Sequence, residues 1–357
     1  MDRPADGRVC EGACVMDWEI LRELCAIPGV SGTEDGVRSW LRERLSGCAD
    51  EIKEDALGNL IVEKRGRQGA RTRLLLLCHM DEPGLMVSQI TEDGFLKMES
   101  VGDLRPETLC GSAVRIGEIP GVIGGKPVHL MDKDERAKPV PLDELSIDIG
   151  ASSKEEAEKY VSPGDAVILD APFDADNGKI LARALESRAG CALLLSYLLS
   201  GPEYDVTAAF CALGQTEFLG AKTAAYAAAP QAVLAIGGLE SGGFPGGEKT
   251  GSCRVGKGPA VLLMDKGAIY DRAYVSWAME EAARLDIPVQ TARPLTGQND
   301  ASQAHSAGAG ARAAAIGVPC RYPGGPAGLV LQSDLDSAAK LLGALADRIA
   351  GSPISNA

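Results

Sequence analysis

The chain has 357 residues, more than one hydrophobic core usually serves, so about two domains are expected. Lys and Arg number 36 against 50 Asp and Glu, a net charge of -14, and no basic stripe offsets it, which makes nucleic acid and anionic membranes poor partners. Aromatics are only 4% of residues while Gly and Ala are abundant, so the core is expected to be aliphatic and the texture that of an α/β enzyme-like chain.

Residues 1–16 form a polar leader; with Asp2, Asp6 and Glu11 it lacks the charged-then-apolar order of a signal peptide, and no run approaches the roughly 18 apolar residues of a membrane span. The ten cysteines are scattered, and Cys25, Cys191 and Cys211 sit inside apolar segments, as reduced core thiols of a cytoplasmic protein do. A metal pair at Cys10 and Cys14 is the alternative use of the two that precede the first helix.

In chain order, residues 17–26 carry Trp18, Leu21, Leu24 and Cys25 at helical spacing, and Pro28-Gly29 ends that helix. Ser31-Gly-Thr-Glu34 reads as a capping box opening a second helix with Val37, Trp40, Leu41 and Leu45 on its apolar face. Residues 51–55 and 60–64 flank Gly58-Asn59 as a hairpin, and a strand over 74–78 follows. From residue 85 the texture changes to short strands over 85–90, 95–98, 113–116, 121–123 and 166–169, with one short helix opened by Ser153-Lys-Glu-Glu156. This β-rich unit, residues 85–172, reads as a barrel inserted into an α/β domain made of residues 17–84 and 173–351.

The α/β pattern resumes with a helix over 187–199, a strand over 206–212, a helix from Gly220 and a strand over 232–236. The Gly-rich stretch 237–258 lacks Walker or dinucleotide spacing and reads as an irregular loop. A strand over 259–264 and a helix over 272–285 come next. The closing helix, 333–349, has Leu335, Ala338, Leu342, Leu345 and Ile349 in phase.

Chemistry gathers at the end of the 74–78 strand. Four consecutive leucines imply burial on both faces, and the run stops at His79, Asp81 and Glu82, where an open α/β sheet places reactive groups. His79 and Asp81, two apart on extended chain, share a face, so Asp81 can orient a metal-bound imidazole. A strand-end histidine beside solvated acids is the plainer reading. Cys78 faces the other way and reads as a core thiol.

Leu-Leu-Leu-Cys-His79-Met-Asp81-Glu82-Pro-Gly84-Leu-Met-Val resembles the first metal motif of the tetrahedral aminopeptidases, cytosolic di-metal enzymes that include glutamyl and deblocking aminopeptidases. The likeness continues through Ile-Pro28-Gly-Val-Ser-Gly, Pro127-Val-His129, Ile147-Asp-Ile-Gly150-Ala-Ser-Ser-Lys-Glu-Glu-Ala, Gly256-Lys-Gly258, Asp300-Ala with His305, and Gly317-Val-Pro-Cys-Arg321-Tyr322. It implies an α/β metallopeptidase domain of aminopeptidase type, with a mixed central sheet and an inserted β-barrel or PDZ-like domain that builds dimers. Dimers of that family join into a twelve-subunit shell.

The resemblance also implies five metal-binding side chains and a base: two divalent ions, zinc or cobalt, polarise a shared water that a glutamate deprotonates. His79 stands at the histidine ligand and Asp81 at its supporting carboxylate. Glu186 takes the place of the bridging aspartate, one methylene longer. Glu217 matches a ligand glutamate, but the base position is Thr216, which cannot accept a proton near neutral pH, and the run that follows is two residues short. Gly237 stands where the fourth ligand is expected, with Glu240 as a conceivable substitute. Gly324, or its neighbouring proline, stands where the fifth is expected. His129 and His305 match positions that are not ligands.

Three functions follow from that degenerate set. The chain is an architectural or regulatory homologue of the aminopeptidases, self-assembled or joined to an active paralogue; or a non-catalytic peptide-binding module; or an active enzyme with a rebuilt metal site. Any retained ion would be held loosely, and restoring hydrolysis is expected to need Gly237→Asp and Gly324→His together with Thr216→Glu.

Overall fold

A computed structural model describes residues 16–244, 253–292 and 297–354. The chain opens with α1 (Trp18–Ala26) and α2 (Asp35–Leu45), followed by the antiparallel hairpin of β1 (Glu51–Glu54) and β2 (Leu60–Lys64) and by β3 (Leu74–His79), every residue of which is buried. Asp17 caps α1 by accepting from the Glu19 amide.

The barrel strands come next: β4 (Gly84–Ile90), β5 (Leu96–Val101), β6 (Ala113–Ile116) and β7 (Ile119–Gly124), then α3 (Lys133–Arg136), β8 (Ser146–Asp148), α4 (Lys154–Ala157) and β9 (Ala166–Leu169). These six strands close on themselves in the order β4-β5-β8-β7-β6-β9 and pair with no strand of the main sheet. Leu85, Val87, Leu96, Ile123, Ile147 and Val167 fill the barrel as a separate core. Ser153 caps α4 by accepting from the Glu156 amide, as its sequence implies. The segment is less purely β than expected: α3, with its own Asp132 capping box, is a second short helix, and β8 was not among the expected strands.

After the barrel come β10 (Asp174–Asp176), β11 (Lys179–Ala182), α5 (Leu185–Ser200), β12 (Val206–Cys211), α6 (Leu219–Ala228), β13 (Ala232–Gly242), β14 (Cys253–Arg254) and β15 (Ala260–Leu262). The chain ends with α7 (Arg272–Arg284), β16 (Gln290–Ala292), α8 (Asp300–Ala304), β17 (Arg312–Cys320), β18 (Gly328–Leu331) and α9 (Gln332–Gly351). The main sheet is mixed, in the order β1-β2-β12-β3-β13-β17-β15-β16, with β14 beside β13. β12, β3, β13 and β17 are mutually parallel and bring their carboxyl ends to one edge. α5 packs across them and is buried on nearly all sides, which its near-continuous apolar sequence requires. Gly190 allows that approach, because a Cβ there would lie 2.5 Å from the Ile236 carbonyl oxygen. A small sheet of β10, β11 and β18 stands apart.

Two expectations need correction. Ser31 and Glu34 form no capping box: α2 has no side-chain cap, the Ser31 hydroxyl donates to Asp81, and Glu34 accepts from the Leu213 amide at 3.0 Å. Those longer bonds tie the α1–α2 loop to the carboxyl ends of β3 and β12 and outcompete the local pattern. The stretch from Gly237 is also not all loop. β13 continues to Gly242, paired with β17 through Glu240 and Cys320, because β17 satisfies its backbone while the missing side chains let α5 approach. A Cβ at Gly238 would stand 2.6 Å from the Glu186 Cα. Part of the remaining stretch, with Cys10 and Cys14, lies outside the described residues. No disulfide joins any described cysteine; Cys78 is buried, its Sγ 3.8 Å from that of Cys191, and burial pushes its thiol well up.

Candidate active site

The carboxyl ends of β3, β12, β13 and β17 open on a cavity of about 650 Å³. His79 enters from β3, Glu186 from the first turn of α5, Glu217 from the β12–α6 turn and Asp300 from the start of α8, while Asp103 and Arg105 of the barrel close the far side. The sequence motif around His79 thus lands on a real cleft, together with three acids from distant segments: Glu186, Glu217 and Asp300.

His79 is 4% exposed, and its Nδ1 lies 3.4 Å from Asp81 Oδ1, the shared face that their spacing implies. Phe218 stands edge-on to the ring at 5.6 Å, and Gly214 is required beneath it, since a Cβ there would meet His79 Cγ at 2.5 Å. Burial alone would lower the imidazole pKa, but the Asp81 and Asp300 carboxylates outweigh it and bring the value up to about 10. Asp81, fully buried, accepts from the Ser31 hydroxyl and from the Gly214 and Gln215 amides at 2.8 and 2.7 Å. Burial pushes its carboxyl up, and His79 with these donors more than reverses that.

Glu82 is not at the mouth. It turns inward, 2% exposed, to ion-pair with Arg183 and Arg188 and to accept from the Gly29 amide at 3.0 Å. Two arginines in the turn that opens α5 need a buried counter-charge, and Glu82 supplies it.

Glu186 and Glu217 both line the cavity. Glu186 Oε2 lies 3.4 Å from Gln215 Nε2; burial raises its carboxyl pKa, partly offset by His79 and Gln215. Thr216 does not line the cavity: its hydroxyl donates back to the Leu213 carbonyl at 3.0 Å. The shortened run after β12 is a tight turn with three non-glycine residues at positive φ, Leu213 at 56°, Glu217 at 59° and Phe218 at 55°. Such residues cost roughly 1–2 kcal/mol each and survive only where the surroundings hold them; Phe218 is held edge-on against His79.

The two glycines at expected ligand positions differ. A Cβ at Gly237 would find its nearest atom, the Glu186 carbonyl oxygen, at 3.9 Å, so there is room for a side chain. Gly324 has φ +73°, and a Cβ there would overlap the Asp103 carbonyl oxygen. A histidine at that point is therefore barred by the barrel, which corrects the expectation that Gly324→His could help to rebuild the site. Glu240 lines the cavity but is ion-paired with Arg105. His129 is exposed on the barrel segment, and neither it nor His305 lines the cavity.

Asp300 matters more here than its sequence context suggested. It is 3% exposed, its Oδ1 has no hydrogen-bond partner, and burial raises its carboxyl pKa to about 6 despite His79 nearby. Asn299 caps α8 through the Ala301 amide, and Asp265 and Tyr270 hold the Asn299 amide group at 3.0 and 2.6 Å. An Asn-Asp pair is a helix-start signal, and that was the one local hint of its placement.

These donors do not fit a pair of bridged divalent ions. Gly237 offers none and Gly324 is sealed. Among the described residues, no three histidine, cysteine, aspartate or glutamate side chains converge as metal ligands would.

The M42 glutamyl aminopeptidase model matches residues 58–341, most of the chain. The chain belongs to that family. A putative aminopeptidase of Acetivibrio thermocellus is 32% identical over 329 residues, 91% of this chain and 97% of that protein. The crystal structure of a TET aminopeptidase from a Thaumarchaeota archaeon superposes with TM-score 0.87 at 29% identity, over 92% of this chain and 95% of that one. The Pyrococcus horikoshii TET1 peptidase, which can assemble into a tetrahedron or a large octahedral shell, gives TM-score 0.81 at 33% identity over 92% and 98% of the two chains. The M42 assignment accounts for the α/β domain with a mixed sheet and for the closed barrel whose strands lie between β3 and α5. No described helix of this M42 chain is long and apolar enough to cross a membrane.

Proposed function

We propose that this M42 member keeps the family's scaffold and cleft without its hydrolytic apparatus, and acts in the cytoplasm as an architectural or regulatory subunit. The observation that carries the reading is Gly324: the barrel backbone occupies the space in which a fifth ligand would have to stand. Thr216, bonded into its own turn outside the cleft, supports it at the base position. His79, Glu186 and Glu217 would hold at most one loosely bound zinc or cobalt ion. The barrel, residues 85–172, is the inserted dimerisation domain on this reading, and dimers close into a shell of up to twelve subunits, alone or with an active paralogue, as the assembly of the Pyrococcus horikoshii relative suggests.

A second reading, a peptide-binding module, is favoured by the open cleft with an unpartnered acid at its base. The test is turnover of an aminoacyl substrate panel in added zinc or cobalt, with light scattering on the same sample. Negligible turnover and a species larger than one chain are expected, and Thr216→Glu alone should change neither. Chelator-sensitive turnover at about 1–10³ per second, the ordinary enzymatic range, would overturn the non-catalytic reading.

A further inference from the structure

Two thiols in the main core lie close enough to react with each other. Cys78, the residue before His79 on β3, and Cys191 of α5 are free, fully buried, and have their sulfurs 3.8 Å apart. The Cys78 S–H donates to Cys191, whose own S–H donates to the His79 carbonyl oxygen at 3.3 Å. Gly190 sets the separation: with no side chain there, α5 comes so near to β3 that an added Cβ would stand 3.2 Å from the Cys78 Cβ. A disulfide holds its sulfurs about 2.05 Å apart, so the pair has to close by roughly 1.8 Å.

We propose that Cys78 and Cys191 form a redox switch: oxidation joins them in a disulfide that ties β3 to α5 and shifts His79 and Glu186, the cleft residues those elements carry, and reduction releases them. The oxidant is hydrogen peroxide, a molecule little larger than water, because neither sulfur meets solvent and a bulky reagent is shut out. One cysteine sulfur attacks a peroxide oxygen; the O–O bond breaks, and the departing hydroxide takes that thiol's proton and leaves as water, with a sulfenic acid left behind. The second sulfur attacks the first, the S–O bond breaks, and a second water leaves with the second thiol's proton. Two thiols are oxidised by two electrons and one peroxide is reduced to two waters. Closure withdraws the S–H that Cys191 gives the His79 carbonyl, and Glu186 lies on the same helix as Cys191, little more than one turn away. A dithiol reductant reverses the bond by exchange, as a switch in a reducing compartment requires.

The experiment treats the folded full chain with hydrogen peroxide, stops the reaction with catalase and acid, alkylates in urea and maps the peptides without reduction. The expected product is a Cys78–Cys191 linked peptide pair two hydrogens lighter than the separate peptides. Amide hydrogen exchange should change around residues 79–81 and 185–188, and dithiothreitol should restore it. Cys78→Ala and Cys191→Ala should each abolish the linked pair and the exchange change together. Linkage that forms only in urea would show that the fold does not bring the sulfurs within bonding reach, and would overturn the proposal. So would linkage with no change in exchange, which is a staple and not a switch, or an exchange change that survives in both variants, which belongs to another oxidised residue.

Discussion

Gly324→Ala separates a barrel that seals the ligand position from one that merely lies near it. At φ +73° an L side chain costs roughly 1–2 kcal/mol. The added Cβ would also overlap the Asp103 carbonyl oxygen, and overpacking of that kind typically costs about 1–3 kcal/mol more. Together these give about 2–5 kcal/mol, a fall of about 3–7 °C in melting temperature for a chain this long. Gly237→Ala is the control: the nearest atom is 3.9 Å away, so it should stay within about 1 kcal/mol of wild type. Thermal and urea unfolding followed by tryptophan fluorescence reads both. Because the obstruction is backbone, adding Asp103→Ala to the Gly324→Ala chain should restore nothing. If Gly324→Ala melts with wild type, or if Asp103→Ala rescues it, residues 102–105 do not fill the position and the argument from geometry is wrong.

Glu82→Gln leaves Arg183 and Arg188 buried with only a neutral partner and should lower stability by about 3–5 kcal/mol, read from the urea midpoint; a loss under about 1 kcal/mol would show that the arginines find another counter-charge. Asp334 accepts from the Gly256 and Gly258 amides at 2.7 and 2.8 Å, so Asp334→Ala should cost about 1–3 kcal/mol and raise hydrogen exchange at those two amides first. Burial pushes the Asp271 carboxyl up, but Arg312 and the α7 amides bring it below its ordinary value. Its contribution is therefore present above about pH 4, the unfolded value, and is lost as pH falls through the lowered folded one. The stability gap between wild type and Asp271→Asn should narrow from pH 5 towards pH 2, and a gap that stays constant would contradict the assignment.

Periodicity made most of the α/β frame legible. β3, α5, α7 and α9 have dense apolar patterns that admit one reading, and the change of texture after Gly84 marked the barrel. β17 escaped because Arg-Ala-Ala-Ala-Ile-Gly-Val-Pro-Cys has low strand propensity, and its small residues make sense only once β13 lies beside it. A Cβ at Gly317 would stand 2.6 Å from that of Leu239. In the cleft, the His79–Asp81 pairing was visible from spacing alone, whereas the inward turn of Glu82 depends on arginines a hundred residues away. Asp300 reaches the cavity by a capped helix of five residues, too short to leave a periodic signal.

The acids just past β3 hold the frame together whether or not the cleft holds an ion. Asp81 joins three segments, accepting from the α1–α2 loop through Ser31 and from the β12–α6 turn through Gly214 and Gln215, while Glu82 neutralises the arginines that anchor α5. Both duties are independent of any ion, so either residue is costly to replace whether or not the cleft hydrolyses anything. Gly237 carries no such duty: its Cβ position touches nothing structural. A side chain that meets only a ligand can be lost without unfolding the chain, and one that also holds the frame cannot. On that ground the presence of Asp81 and Glu82 argues for the scaffold and says nothing of the chemistry. The chemistry of the cleft has to be judged from Glu186, Glu217 and Asp300, which line it, and from Gly237, which does so without offering a donor.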